Sequence, residues 1–244
     1  MKKGDIMKTK KHVSPFTLLE LLIVVAIIGI LLTLLLPSLT RAREKAIRAV
    51  CLSNQQQVYR GFVRYIKDNN GKLPPGANAY QVKYKHIDQM GLYEAPEIWR
   101  CPNWKKDVQD GFYDLTDEQR QNRIAKDTFV MTGFHLLTGG QSYNQGLGGR
   151  AWRGWRTIYE NKPIPLITDR NRSSNDTTFR SKILHTKNGG VLLEVNSLTE
   201  LESWGCEGSN ETSVQGSGKW VGVSKLEAHR YNAGVGFWSR QYKE

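Results

Sequence analysis

Residues 16–36 form an unbroken apolar run, FTLLELLIVVAIIGILLTLLL, in which Glu20 is the single charge. About 20 apolar residues in a helix cross a bilayer core of roughly 30 Å, so the pattern predicts a membrane-spanning helix. Beyond residue 36 the pattern turns amphipathic instead of ending. Ile47, Val50, Cys51, Val58, Phe62, Tyr65 and Ile66 recur at helical spacing and define one face. Arg41, Arg43, Glu44, Lys45, Arg48 and Arg60 fall mostly elsewhere and are expected on the water-facing surface. Pro37 removes one backbone hydrogen bond and invites a kink, but does not have to end a helix in a membrane protein. Asp68-Asn69-Asn70-Gly71 followed by Pro74-Pro75-Gly76 is a stop signal. One helix is therefore predicted from Phe16 to about Asp68.

The rest of the chain reads as short, turn-rich pieces. Residues 80–90 suit either a strand or a short helix, and residues 95–99 lead into Cys101-Pro102, where a helix must break. Thr116 is expected to cap a short helix reaching Ile124. Residues 129–137 and 152–159 are rich in aromatic and branched side chains and predict strands on either side of a Gly-rich stretch at 139–149. Further strands are expected at 164–168, 182–185, 191–195, 220–223 and 235–238, with hairpin-turn chemistry at Lys187-Asn188-Gly189-Gly190. The expected class is α+β: a long N-terminal transmembrane and stalk helix packed on an antiparallel β-sheet head. Its segments are a basic leader (1–15), a membrane-spanning half-helix (16–36), an amphipathic half-helix (37–70) and the head (71–244).

A net charge of +12 suggests nucleic acid until it is located along the chain. Residues 1–15, 16–68 and 69–244 each carry +4, so the large C-terminal part has an ordinary, weakly basic surface and nucleic acid is not the expected partner. The basic leader is better explained as a topology signal, because Lys and Arg beside a span favour the cytoplasmic side. A cleavable secretory signal would have an apolar core of about 7–15 residues followed by small residues. Here the core is longer and Leu-Pro-Ser-Leu-Thr-Arg follows it; an unprocessed signal anchor is the other competitor.

The basic leader, Phe16-Thr17-Leu18-Leu19-Glu20, the apolar run, Pro37 and Arg41-Ala42-Arg43-Glu44-Lys45-Ala46 together resemble the prepilin-type N-terminus of type IV pilins and type II secretion pseudopilins. The resemblance is strongest over residues 8–70. It implies that a prepilin peptidase cuts just before Phe16, that the new amino group is methylated, and that Glu20 becomes the fifth mature residue. In that family the glutamate neutralises the N-terminal amine of a neighbouring subunit. Opposite charges in a low-dielectric bundle attract strongly, whereas either alone is penalised. Pro37 would be mature residue 22, where related pilins carry a proline. The family's residue before the cut is normally Gly; here it is Pro15.

The partners so implied are other pilin or pseudopilin subunits, the peptidase and the inner (cytoplasmic) membrane, crossed once with the N-terminus cytoplasmic and the head outside. Further stretches look like a pilin-like group: Cys51-Leu52-Ser53-Asn54, Arg100-Cys101-Pro102, Gln141-Ser142-Tyr143-Asn144, Pro165-Leu166-Ile167-Thr168-Asp169 and His185 followed by Gly189-Gly190. Those relatives often end the last motif with Asp-Gly, and Asn196-Ser197 stands here, so a strand is expected there rather than a site.

Three cysteines leave one unpaired if the head is in an oxidising compartment. The resemblance implies Cys51 with Cys101, leaving Cys206 single; Cys101 with Cys206, and three free thiols, are the alternatives. Arg150, Trp152, Arg153, Trp155 and Arg156 interleave cations with aromatics. Such a surface could hold a polyanion or an acidic polysaccharide, or stack on single-stranded nucleic acid. Equally, it could be a strand with Trp in the core and Arg in water. The acidic residues 194–211 lack EF-hand spacing, and no Cys/His spacing suggests zinc, so no metal or cofactor is expected. No nucleophile elbow, P-loop or readable Ser-His-Asp order points to catalysis.

Overall fold

The computed structural model describes residues 17–75, 81–92, 96–104, 116–138, 142–145, 152–153, 155–160, 164–173, 181–187, 191–193, 205–231 and 234–238. The chain divides into two compact units, Met1–Arg41 and Ala42–Glu244. Helix α1 (Leu18–Asp68) begins in the first, continues through Pro37 and ends in the second.

In the first unit every described side chain is exposed. Among the described residues, α1 is the one helix long and apolar enough to cross a membrane, and none of its most apolar window is buried within the chain. Its hydroxyls are folded back onto the helix: Thr33 Oγ1 donates to the Ile30 carbonyl, Ser38 Oγ to that of Leu35 and Thr40 Oγ1 to that of Leu36. Such back-bonding satisfies polar side chains where water is absent.

In the second unit α1 buries Glu44, Cys51, Gln55, Val58, Gly61, Phe62, Tyr65 and Ile66. Cys51, Val58, Phe62, Tyr65 and Ile66 are core as their spacing predicts, whereas Val50 is 47 % exposed. Glu44, expected at the surface, is only 4 % exposed. The helix ends where the stop signal lies: Asn70 and Gly71 take φ of 52° and 75°, and the Gly71 amide returns to the Ile66 carbonyl at 2.9 Å. Gly71 takes a positive φ that side chains rarely adopt, so a substitution there is strained whatever the space.

The described strands are β1 (Gln81–Lys83), β2 (Phe129–Met131), β3 (Phe134–Leu136), β4 (Ser142–Gln145), β5 (Trp152–Arg153), β6 (Ile167–Asp169), β7 (Arg172–Ser173), β8 (Ser181–Ile183), β9 (Val191–Leu193), β10 (Gly208–Thr212), β11 (Gly218–Gly222), β12 (Glu227–Tyr231) and β13 (Gly234–Trp238). Two short helices, α2 (Tyr84–Gln89) and α3 (Asp117–Ala125), lie between β1 and β2. Within the ambiguous stretch 80–90, residues 81–89 are thus a strand followed by a helix. Thr116 caps α3 with a reciprocal box: its hydroxyl accepts from the Gln119 amide and its own amide donates to Gln119 Oε1.

Among the described residues every pairing between named strands is antiparallel, in a two-stranded sheet (β1-β2), a four-stranded sheet (β11-β10-β6-β3) and a seven-stranded sheet (β5-β4-β12-β13-β7-β8-β9). The chain is α+β, a long N-terminal helix with antiparallel sheets. Helix α1 meets β10 through polar side chains. Gln55 donates to the Asn210 carbonyl and accepts from Thr212 Oγ1, while Asn210 Nδ2 donates to the Arg48 carbonyl. The apolar core gathers Phe62, Tyr84, Trp99, Phe134 and Trp155.

Several expected strands are shorter than predicted: β6 takes up only Ile167 and Thr168 of residues 164–168, and β8 ends at Ile183. Residues 129–137 break at Thr132-Gly133, where the Gly133 amide bonds the Trp99 carbonyl at 2.6 Å and a Cβ would sit 2.6 Å from the Arg100 Cα. That backbone approach displaces the ladder. Residues 152–159 hold only the two residues of β5; beyond them the chain makes isolated bridges, Thr138 with Trp155 and Lys72 with Thr157. β8 and β9 pair from Ser181 opposite Leu193 to Ile183 opposite Val191. The turn expected at Lys187-Asn188-Gly189-Gly190 lies, from Asn188 on, outside the described residues.

Candidate functional site

Glu44 enters the structure from the face of α1 that packs on the four-stranded sheet. Its Oε1 accepts from His185 Nδ1 at 2.7 Å and from Arg48 Nε at 3.4 Å, and its Oε2 from Asn103 Nδ2 at 2.8 Å. His185 follows β8 and is fully buried. Its other ring nitrogen, Nε2, lies 3.2 Å from Asp169 Oδ2 and 3.6 Å from Cys101 Sγ. Asp169 ends β6, also fully buried, and accepts from Gln55 Nε2 at 2.8 Å and from the Asn210 amide at 2.6 Å. Arg48 reaches over the Trp220 ring at 4.1 Å and pairs with Glu207. The His185 ring meets the edge of the same indole, with centroids 5.5 Å apart.

An imidazole held by two carboxylates is driven to its charged form. Burial alone would push His185 down, but Asp169 and Glu44 outweigh it and raise it from 6.5 to about 9. For Glu44, burial pushes upward and the hydrogen bonds from His185 and Asn103 outweigh it, leaving the carboxyl below its ordinary value. The charges are thus buried but mutually paired, the condition under which such a cluster is tolerated. It fastens α1 to β6, β8 and β10. Within it His185 and Asp169 are fully buried.

Cys51 on α1 and Cys101, just past the 3₁₀ turn Pro96–Trp99, form a disulfide with Cα atoms 4.9 Å apart. Cys206 is a free, buried thiol whose Sγ donates to the Gly208 carbonyl at 3.6 Å. Burial pushes that thiol up to about 12.

At the other end of the chain, Glu20 sits in the first turn of α1. Its Oε2 accepts from both the amide and the hydroxyl of Thr17 at 2.9 Å, and its amide donates back to Thr17 Oγ1 at 3.2 Å. Thr17 and Glu20 are therefore a capping box, spaced as such boxes are. Pro37 lies inside the continuous helix. Pro15 and Phe16 lie outside the described residues.

Of the interleaved cations and aromatics, Trp155 belongs to the core and not to a binding surface: it is 2 % exposed and its indole N–H donates to the Pro165 carbonyl. Arg156 is exposed. Trp152 and Arg153 form β5, at the edge of the seven-stranded sheet; their side chains and Arg150 lie outside the described residues. Sequence reasoning placed Glu44 and Arg48 on the water-facing surface, assigned no role to Gln55, Asn210 or Asp169, and took the motif that begins at His185 as a strand marker. Spacing does carry a signal: Glu44, Cys51, Gln55, Val58 and Phe62 are separated by seven, four, three and four residues, one continuous helical stripe. The chain matches no family model, no curated protein and no solved structure.

Proposed function

We propose that this chain is a membrane-inserted, pilin-like structural subunit of a type II secretion pseudopilus or a related pilus, assembling through its N-terminal helix. The observation that carries this is the character of α1 in the first unit, apolar and exposed on every side, with Glu20 as its single charge up to Leu36. Apolar surface of that extent requires lipid or neighbouring helices to cover it. A carboxylate there is penalised by a few kcal/mol, about 2.5–3.5 on insertion scales when central, unless it finds a partner. A neighbour's amino terminus, freed by cleavage before Phe16, is such a partner. In the same helix the second half fastens to the sheets through the disulfide and the Glu44 cluster, so force on the filament core would reach the head through bonded elements.

The alternative is an anchored extracytoplasmic protein that binds polyanions or polysaccharide. It loses Trp155 as a stacking face and keeps Arg156 with the β5 edge. Mass measurement of the purified N-terminus together with co-purification of other subunits separates the two. N-methylated Phe16 and stoichiometric subunits are expected, whereas an uncut, solitary chain would overturn the assembly reading.

A further inference from the structure

We propose that, when the Cys51–Cys101 disulfide is reduced, the two thiolates, His185 Nε2 and Asp169 Oδ2 bind one zinc ion. The Cys51, Cys101 and His185 donor atoms all lie within 4.8 Å of one another, and all three residues are buried. Zinc bond lengths of about 2.3 Å to sulfur and about 2.0 Å to nitrogen and oxygen give tetrahedral edges of about 3.5 Å from S to N and about 3.3 Å from N to O. The corresponding distances here are 3.6 Å from Cys101 Sγ to His185 Nε2 and 3.2 Å from Nε2 to Asp169 Oδ2. Two edges of the tetrahedron thus exist before any metal arrives.

The surrounding hydrogen bonds are those a zinc site uses. A metal-bound histidine commonly gives its other N–H to a carboxylate, which fixes the tautomer and turns the free nitrogen towards the metal. Glu44 does this to His185 at 2.7 Å and is itself held by Asn103 and Arg48. Asp169 is oriented by Gln55 and the Asn210 amide. The four donors come from α1, the turn after Trp99, β6 and the segment after β8, so no local Cys/His spacing announces them. Two thiolates, an imidazole and a carboxylate form a borderline-soft set without an open position, which fits a structural zinc site.

The chemistry balances with a dithiol reductant. It gives two electrons and two protons to the Cys51–Cys101 bond, becomes a disulfide itself and leaves two thiols. Zinc then displaces both thiol protons and the proton on His185 Nε2, and no further electron moves. In either redox state α1 remains tied to the sheet, by a sulfur–sulfur bond or by a metal.

The test uses the full chain in detergent, with zinc alone and then cobalt(II) as probes. After reduction with a phosphine, the protein is expected to retain one equivalent of zinc against a chromogenic chelator, and the oxidised protein none. Cobalt should give intense visible bands of tetrahedral coordination and a sulfur-to-cobalt charge-transfer band. Glu44→Gln should weaken zinc retention by about ten- to a hundredfold while keeping the stoichiometry. Cys206→Ser should change nothing. No retention by the reduced wild type, equal retention by the oxidised form, or a cobalt spectrum without the sulfur band would each overturn the proposal. These readouts on the wild type stand even where a variant fails to fold.

Discussion

Glu44 and His185 are 141 residues apart in the chain and 2.7 Å apart in the fold. The contact joins the helix to the sheets by a charged hydrogen bond that water does not reach, and a pH dependence of stability follows from it.

His185 is raised in the fold above its ordinary value, from 6.5 to about 9. Its stabilisation is therefore complete below pH 6.5 and is lost as pH rises through about 9. At about 1.4 kcal/mol per pKa unit this amounts to as much as about 3 kcal/mol. Two groups act at the acid side. Glu44 is lowered from 4.5, so its contribution is present above that value and lost as pH falls. His86, pushed down to about 4 by burial and by Lys85 and Lys83, resists protonation and destabilises the fold as pH falls from 6.5. Chemical denaturation of the full chain should thus show greatest stability near pH 6.5, and His185→Gln should abolish the decline between pH 6.5 and 9. An unchanged alkaline limb in that variant would count against the buried charged histidine.

Thiol accounting tests the disulfide. The native protein should not react with a thiol reagent at pH 8, because burial holds Cys206 at about 12. Denaturant alone should release one thiol, and denaturant with reductant three. The Cys51–Cys101 bond spans 50 residues, and closing a loop of that length contributes about 4 kcal/mol on chain-entropy grounds. Reduction in the presence of a chelator should therefore move the denaturation midpoint clearly downward; three reactive thiols in the unreduced protein would show the bridge to be absent.

Processing offers a third test. If the leader is removed by a prepilin peptidase, Pro15→Gly should accelerate the cut before Phe16, because the peptidase then meets the residue its substrates normally carry. Pulse-chase labelling with peptidase present reads the rate. Full-length protein persisting equally in both chains would exclude this route of maturation.

Helix α1 was legible because an unbroken apolar run passes into an apolar face that repeats with helical period, and α3 because Thr116 and Gln119 stand at capping-box spacing. The head was less so. Strand β10, Gly208–Thr212, is fully buried yet contains no apolar residue; its Asn210 and Thr212 bond to α1, and a pattern that equates burial with hydrophobicity passes over it. Glu44 and Gln55 were hidden for the same reason, as polar residues in an otherwise apolar stripe. Glu44 meets His185 and Gln55 meets Asp169 across more than a hundred residues, a proximity that local sequence does not encode.

Glu20 carries the last prediction, because two physical roles compete for it. Within its own chain it completes a capping box with Thr17, a role that glutamine fills as well as glutamate. Within a filament it would neutralise a neighbour's amino terminus, a role that requires the negative charge. Glu20→Gln keeps the first and removes the second, whereas Glu20→Ala removes both and Thr17→Ala removes the box while sparing the charge. For an assembling subunit, all three variants should insert into membranes as well as wild type or better. Both Glu20 variants should then incorporate poorly into filaments, by about tenfold or more if the pair is worth at least about 1.4 kcal/mol, and Thr17→Ala should incorporate nearly normally. Membrane fractionation followed by filament pull-down measures both steps. Normal incorporation of Glu20→Gln with loss in Glu20→Ala and Thr17→Ala would assign the residue to helix capping alone and remove the intersubunit charge pair.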